Sequence, residues 1–152
     1  MAVSYRPQGY NDVTPYLIVE NAAEVIDFVT SVLGGKERMR MAGANGGIGH
    51  TEVEVGDSLI MMADSAEAEN NVTMTAMIHV YLEDVDAAYK AAIGAGLKSE
   101  REPVTQFYGD RVASVSDRFG NIWYLATHVE DVPPEEMAKR AAEWQAQQEG
   151  QK

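Results

Sequence analysis

The chain has 152 residues, enough for one compact domain that buries roughly 68–70% of its unfolded surface. Cysteine is absent, which excludes disulfides, iron–sulfur clusters and thiol nucleophiles. Twenty-four acidic against twelve basic residues give a formal net charge of −12, a balance that repels nucleic-acid backbones and anionic membrane surfaces. No apolar run approaches the ~20 residues of a membrane span, and the amino terminus lacks the apolar stretch of a signal peptide. The sequence therefore reads as a cytoplasmic protein with neither nucleic acid nor membrane as partner.

In chain order, residues 1–12 are polar, carry Pro7 and Gly9, and read as an arm leading into a first strand over 13–19. Asn21 and Glu24 stand at N-cap and N3, the reciprocal capping pattern with Asn for Ser or Thr. They predict a helix over 22–33 that Gly34-Gly35 ends. Strands follow over 36–41, 48–55 and 58–63, separated by a Gly- and Asn-rich loop over 42–47 and by the turn Gly56-Asp57. The stretch 64–73 is polar and aperiodic and reads as a linker. The pattern then restarts, with a strand over 77–82, a helix over 85–95, and strands over 98–102, 111–116 and 122–127. Beyond His128, Pro133-Pro134 ahead of Glu135 and Glu136 suits a helix start. Met137, Ala141 and Trp144 share one face of this tail helix over 133–148, which docks on the domain or on a second subunit.

The second half thus repeats the first. The apolar stripe Ala22, Val25, Ile26, Val29, Val32 recurs at one constant offset as Val85, Ala88, Tyr89, Ala92, Ala95. Gly120-Asn121 sits one residue out of that offset from Gly56-Asp57, as a single insertion produces. Two βαβββ modules, about 12–64 and 76–128, are expected within a single domain spanning 1–152. The fold class is α+β: the modules form a cupped mixed sheet with helices on the convex side, and a C-terminal helix follows. The cleft of such a cup is where small-molecule chemistry is expected.

Period-two alternation assigns the strand faces. Leu17 and Val19 meet the first helix, leaving Thr14, Tyr16 and Ile18 towards the cleft; Val80 and Leu82 lie under the second, leaving Met77, His79 and Tyr81. Ile122, Tyr124 and Ala126 share the cleft face of the last strand, opposite Trp123 and Leu125, with Ser58, Ile60 and Met62 as their first-half counterparts. Tyr16, Met62, His79, Tyr81 and Tyr124 are accordingly expected to bind ligand. Tyr108 and Arg111, in the Gly-containing loop before the penultimate strand, join them as a carboxylate clamp, unless Arg111 is spent on Asp110 or Asp117. His50, Glu52 and His79 are the candidate catalytic residues, because imidazole titrates near neutral pH and a carboxylate orients it. Their plainer alternatives are a core histidine at position 79 and a solvated strand face at positions 50 and 52.

The stretches 13–28 (VTPYLIVENAAEVIDF), 48–58 (IGHTEVEVGDS), 107–111 (FYGDR) and 117–123 (DRFGNIW) resemble the vicinal oxygen chelate superfamily. That group includes glyoxalase I, bleomycin-resistance proteins and extradiol dioxygenases, and the resemblance is to its PhnB-like, glyoxalase-like branch. It implies paired βαβββ modules and, in the metal enzymes of the family, a His, Glu or Gln, His, Glu set on four cleft-lining strands. Carried over by position, those ligands fall on Thr14, Ile60, Met77 and Tyr124, none of them a His or a carboxylate. No metal and no cofactor are therefore expected, with His50, Glu52 and His79 as the one remaining set of donors. The resemblance then implies a protein that binds a small organic molecule in the cleft without a catalytic metal, as bleomycin-resistance proteins do. The alternative is an isomerase, lyase or dioxygenase-like enzyme of the same superfamily, acting on a carbonyl or aromatic substrate through a His/Glu acid–base pair. A homodimer is the expected assembly, because modules of this superfamily commonly pair across subunits.

Overall fold

The repeat becomes two four-stranded mixed sheets in the computed structural model, which describes residues 2–151. The first sheet holds β1 (Tyr16–Val19), β2 (Lys36–Ala42), β3 (Ile48–Val55) and β4 (Ser58–Asp64) in the order β1-β4-β3-β2, with α1 (Ala22–Ser31) following β1. The second holds β5 (Met77–Tyr81), β6 (Lys98–Thr105), β7 (Asp110–Ser116) and β8 (Ile122–His128) in the order β5-β8-β7-β6, with α2 (Val85–Gly94) following β5. In each sheet the first strand runs parallel to the last and the other pairs are antiparallel. α3 (Pro134–Glu149) comes last. The chain divides into two compact units: one extends to Ala76 and takes in the turn Asp117–Asn121, the other comprises Met77–Ser116 and the chain from Ile122 onward.

Local chemistry sets the element ends. Asn21 accepts from the Glu24 N–H (3.4 Å), so the predicted N-cap forms, and Asp84 caps the second helix in the same way through the Ala87 N–H (3.0 Å). The Glu24 carboxylate goes to Arg118 at 2.6–3.0 Å instead of returning to Asn21. After α1 the chain turns through Gly34 at φ +69°, and Gly35 donates to Val29 O at 2.9 Å. A Cβ on Gly35 would lie 2.8 Å from a Val29 methyl, so only glycine fits this exit. β1 begins at Tyr16, later than expected, because Pro15 has no N–H for the ladder, although its carbonyl still accepts from Met61 (2.9 Å). β6 runs beyond the expected end, through Pro103; it is an edge strand whose register shifts there, where a missing donor costs least.

The expected linker over 64–73 begins inside the fold, at the last residue of β4. Asp64 accepts from the Ala22 N–H and the Ile48 N–H, both at 2.7 Å, fastening the first turn of α1 to the start of β3. Thr127 holds the equivalent place in the second unit, accepting from the Val85 N–H (2.9 Å) and donating to Leu82 O (2.8 Å). Two short 3-10 turns, Ser65–Glu67 and Glu69–Asn71, follow Asp64.

Each sheet buries one face under its helix. In the first unit Leu17, Val19, Val53, Ile60 and Met62 meet Val25, Ile26 and Val29, all of them at most 4% exposed. In the second, Trp123, Leu125, Ala113 and Val115 are fully buried with Ala92 of α2. The pairing corrects one expected phase. Met62 stands beside Leu17 and Thr51, and Ile60 beside Val53, so both belong to the helix face. Leu59, Met61 and Ala63 occupy the helix-free face in their place. β4 is apolar on both faces, so alternation carries no phase there and only the ladder decides it. The turn between the paired Val55 and Ser58 has two residues and that between the paired Ser116 and Ile122 has five, so the hairpins differ by more than the single insertion expected from the glycine spacing.

The tail helix is held to the second unit. Arg140 bonds Phe107 O (3.2 Å), Glu130 (2.9 Å) and Glu136 (3.0 Å), and the Trp144 ring lies 5.7 Å from that of Phe107. No helix among the described residues is long and apolar enough to cross a membrane.

Candidate functional site

The helix-free face of the first sheet carries Tyr16, Ile18, Met61, His50, Glu52, Met39 and Met41, as the ladder dictates. His50 and Glu52, two of the candidate catalytic residues, are side by side. The Tyr16 hydroxyl and His50 Nδ1 are 2.9 Å apart, and His50 Nε2 is 3.4 Å from Glu52 Oε1. An ionised carboxylate only accepts, so Nε2 carries a proton, and in the neutral ring Nδ1 accepts from Tyr16. Glu52 is 5% exposed and also receives the Tyr10 hydroxyl, with Arg38 Nε at 4.0 Å. The Tyr10 hydrogen bond, aided by His50 and Arg38, holds the Glu52 carboxyl below the usual glutamate range against its burial. Burial pushes the Tyr16 hydroxyl up. Met62, expected among the ligand-binding residues, is fully buried beneath the helix face instead. A cavity of about 400 Å³ lies over Met61 and Thr14, walled by residues of the arm.

The helix-free face of the second sheet carries Met77, His79, Tyr81, Ile122, Tyr124, Ser114, Asp110 and His128. His79 stacks on Tyr124 (ring centroids 6.2 Å, interplanar angle 13°) and meets Tyr81 at 5.0 Å. The third candidate catalytic residue is therefore an exposed member of an aromatic row, not a core histidine. Tyr81 donates to Asp110 Oδ2 (2.8 Å), His128 Nδ1 lies 2.7 Å from Asp110 Oδ1, and His128 Nε2 lies 2.8 Å from Asp131. Both ring nitrogens of His128 thus face carboxylates, which cannot donate, so the ring is an imidazolium. The hydrogen bond to Asp110, then that to Asp131, raises His128 above the ordinary histidine range. Burial pushes Asp110 up, but the hydrogen bonds from His128 and Tyr81 outweigh it and leave this carboxyl below the usual aspartate range. Tyr108 is pushed up by burial and packs edge-on against Phe107 at 5.4 Å.

Arg111 departs from expectation. It alternates onto the helix face of β7 and binds Asp86 of α2 with two hydrogen bonds of 2.7 and 2.8 Å, so it clamps its own helix and offers nothing to the helix-free face. The positive charge there belongs to His128. Asp110, His128 and Tyr10 escaped the sequence reading. The first two were within reach of it, since Asp110 alternates with Val112 and Ser114, and His128 with Tyr124 and Ala126. Nothing in the sequence couples Tyr10 to Glu52.

The family's metal positions fall on Thr14 and, by the observed register, Met61 in the first unit, and on Met77 and Tyr124 in the second. None supplies imidazole or carboxylate, and no three His, Asp or Glu side chains come together to hold a metal ion among the described residues. The residues present do not fit the family's metal.

Comparison with known proteins agrees with this architecture. An uncharacterized protein of Mycobacterium bovis is 29% identical over 146 residues, spanning 90% of this chain and 93% of that relative. An uncharacterized protein of Mycobacterium tuberculosis H37Rv shows the same identity over the same length, with 84% of that relative covered. Among solved structures, TioX from Micromonospora sp. ML1 superposes with a TM-score of 0.65 at 20% identity, over 78% of this chain and 99% of that one. A glyoxalase/bleomycin resistance protein/dioxygenase from Nocardioides does so with a TM-score of 0.56 at 20% identity, over 87% of this chain and 90% of that one. These two likenesses speak to the fold. The sequence model that matches residues 10–125 settles the family: the chain belongs to the Glyoxalase/Bleomycin resistance protein/Dioxygenase superfamily.

Proposed function

We propose that the protein binds a small aromatic molecule on the helix-free face of its second sheet, without a catalytic metal, as a member of the PhnB-like branch of its superfamily. One observation carries this reading. Met77 and Tyr81 stand 66% and 62% exposed on the face where His79 and Tyr124 stack, a contiguous set of rings and thioether and not scattered apolar side chains. Tyrosine rings give rigid stacking area with a polar tip. The His128 imidazolium at the end of the same face suits an anionic or carbonyl group on the ligand.

A thermal-shift screen of the purified protein against dicarbonyls, catechols and aromatic or glycopeptide antibiotics identifies the ligand class. For the compound that raises the melting temperature most, Tyr124→Ala is expected to weaken binding about tenfold in titration calorimetry while the fold is retained. Unchanged affinity overturns the reading. Assembly as a homodimer belongs to the same proposal, and a monomer by light scattering at micromolar concentration contradicts it.

A second reading, an isomerase or lyase acting on a carbonyl compound, is favoured by the Tyr16–His50–Glu52 chain of the first unit. There Glu52 fixes the tautomer of His50, and Tyr16 would be the group that exchanges a proton with substrate. A His50→Ala protein that turns over substrate at the parental rate removes this mechanism.

A further inference from the structure

The amino-terminal arm is a built part of the first unit. Tyr10 N–H closes a turn onto Pro7 O (3.3 Å) with Gly9 at φ +85°, the left-handed position such a turn reserves for glycine. A Cβ at Gly9 would meet Arg38 Nη1 at 2.7 Å, so glycine also lets the guanidinium lie against the turn. Arg38 donates to Gln8 O (3.1 Å) and sits 5.2 Å from the centroid of the Tyr10 ring, and Asn11 Nδ2 donates to Asp57 O (3.2 Å). The Tyr10 hydroxyl latches the arm to the buried Glu52 carboxylate.

Under this arm lies the cavity of about 400 Å³, within the ~300–1,000 Å³ typical of small-molecule sites. Tyr5, Arg6, Pro7, Tyr10, Asn11 and Asp12 of the arm form its walls, with Thr14 and Met61 as its floor. Tyr5, Arg6 and Pro7 precede the part of the chain matched by the superfamily, which begins at residue 10.

We propose that this arm pocket, in which Tyr5, Arg6 and Pro7 add walls over a floor at the family's Thr14 and Met61 positions, is a binding site of the first unit alone and takes a small uncharged aromatic compound. Rings, a pyrrolidine and a thioether make the surface, which favours stacking and apolar burial. The two charged side chains of the lining are spent on each other, Arg6 Nη1 being 2.5 Å from Asp12 Oδ1, with the Tyr5 hydroxyl 3.2 Å from the same oxygen. A charged ligand would have to break that pair, and an anion would also meet a protein of net charge −12. A neutral ring with a donor or acceptor at its edge needs neither. The site is made from the first unit alone, so it stands or falls independently of the second sheet.

The test uses the full chain and the neutral fluorophore N-phenyl-1-naphthylamine, with 8-anilino-1-naphthalenesulfonate, the same rings bearing a sulfonate, as comparator. The neutral probe is expected to brighten and to shift the methyl NMR signal of Met61 among the eight methionines. Tyr10→Phe, which frees the latch, should weaken it about tenfold, and Met61→Lys, which places a charge on the floor, should abolish it. Tyr124→Ala, the test of the second sheet, should leave the Met61 shift in place. Three outcomes overturn the proposal: no binding of the neutral probe, a Met61 methyl that stays still while that of Met77 moves, or a sulfonate that binds as tightly as the neutral probe. Since the methyl shift is read on the unmutated protein, misfolding of a variant does not shield the proposal.

Discussion

The two units share a ladder, a capping scheme and a helix fastening, yet their helix-free faces differ. In the first, the polar groups are drawn together under the arm: Tyr10, His50 and Arg38 converge on Glu52. In the second, the carboxylate at the strand end is tied to Tyr81 and His128 while Met77 and Tyr81 stay open to solvent. The difference teaches which positions the fold requires. Helix-facing residues are mostly apolar fillers in both units, with Thr51 and Arg111 as polar exceptions, whereas the opposite face carries different chemistry on the same duplicated frame.

The largest effects should come from testing that division directly. Trp123→Ala, at a fully buried ring, should cost about 3–5 kcal/mol, and Met62→Ala about 2–5 kcal/mol. Their sequence neighbours Tyr124 and Met61, on the other face, should each cost less than about 1.5 kcal/mol when cut to alanine. Urea denaturation of the four variants checks the order. If Met61→Ala proves costlier than Met62→Ala, the register of β4 is wrong and the two units do not share one ladder.

The same pairs show what was legible in the sequence. The Asn21 cap, the helix stripes and the glycine exit of the first helix are local signals that reappear in the structure, whereas Glu24 leaves the reciprocal cap for Arg118 and the two hairpin turns differ by more than one residue. The faces of β1, β5 and β8 were also readable, because polar and apolar residues alternate there or a helix stripe fixes their phase. β4 was not, since Leu59, Ile60, Met61 and Met62 satisfy either phase, and its partners, not its composition, choose between them. The candidate site was legible in part. His79, Tyr81 and Tyr124 come together because β5 and β8 are neighbours, and Tyr16 meets His50, the neighbour of Glu52 on β3, by reaching across β4 on the same face. Arg111 and Tyr10 depended on partners far along the chain, Asp86 and Glu52, and no local pattern announces such a choice.

The helix fastenings offer a finer contrast. Asp64 serves two backbone N–H groups and Thr127 one, together with a carbonyl. Asp64→Ala leaves two donors without their charged acceptor and should cost about 2–3 kcal/mol, against about 1 kcal/mol for Thr127→Ala. Thr127→Ser, which keeps the hydroxyl, should restore most of the loss. Equal costs for the two alanine variants in thermal unfolding would mean that one of the Asp64 bonds contributes nothing.

The pH dependence should separate the units further. Glu52 and Asp110 both titrate below their ordinary ranges in the folded protein. Each adds stability that is present above its unfolded value, ~4 for a carboxyl, and that is lost as pH falls through the folded value. His128 titrates above its ordinary range. Its contribution is complete below the free imidazole value of ~6.5 and disappears as pH rises through the raised one. The acid limb of the stability profile therefore draws on both units, and the near-neutral limb, below the range in which tyrosines ionise, on His128 of the second. Asp110→Asn should return the His128 midpoint, followed by NMR, towards ~6.5 and flatten the near-neutral limb, whereas Tyr10→Phe should change the acid limb and leave the near-neutral one in place. A His128 midpoint that Asp110→Asn leaves unmoved would break the contrast.

The smallest effect is expected at the two exposed arginines that hold helix starts, Arg118 on Glu24 in the first unit and Arg111 on Asp86 in the second. Both pairs are doubly hydrogen-bonded but solvent-exposed, so salt screens them and side-chain ordering offsets much of their attraction. Arg111→Ala and Arg118→Ala should lower the melting temperature slightly in dilute buffer and hardly at all in molar salt. Arg111→Ala should also leave ligand affinity unchanged while His128→Ala weakens it, because only the histidine projects from the helix-free face. An Arg111→Ala protein with impaired binding would return the cationic role to the helix side of β7, and with it the view that one face folds while the other recognises.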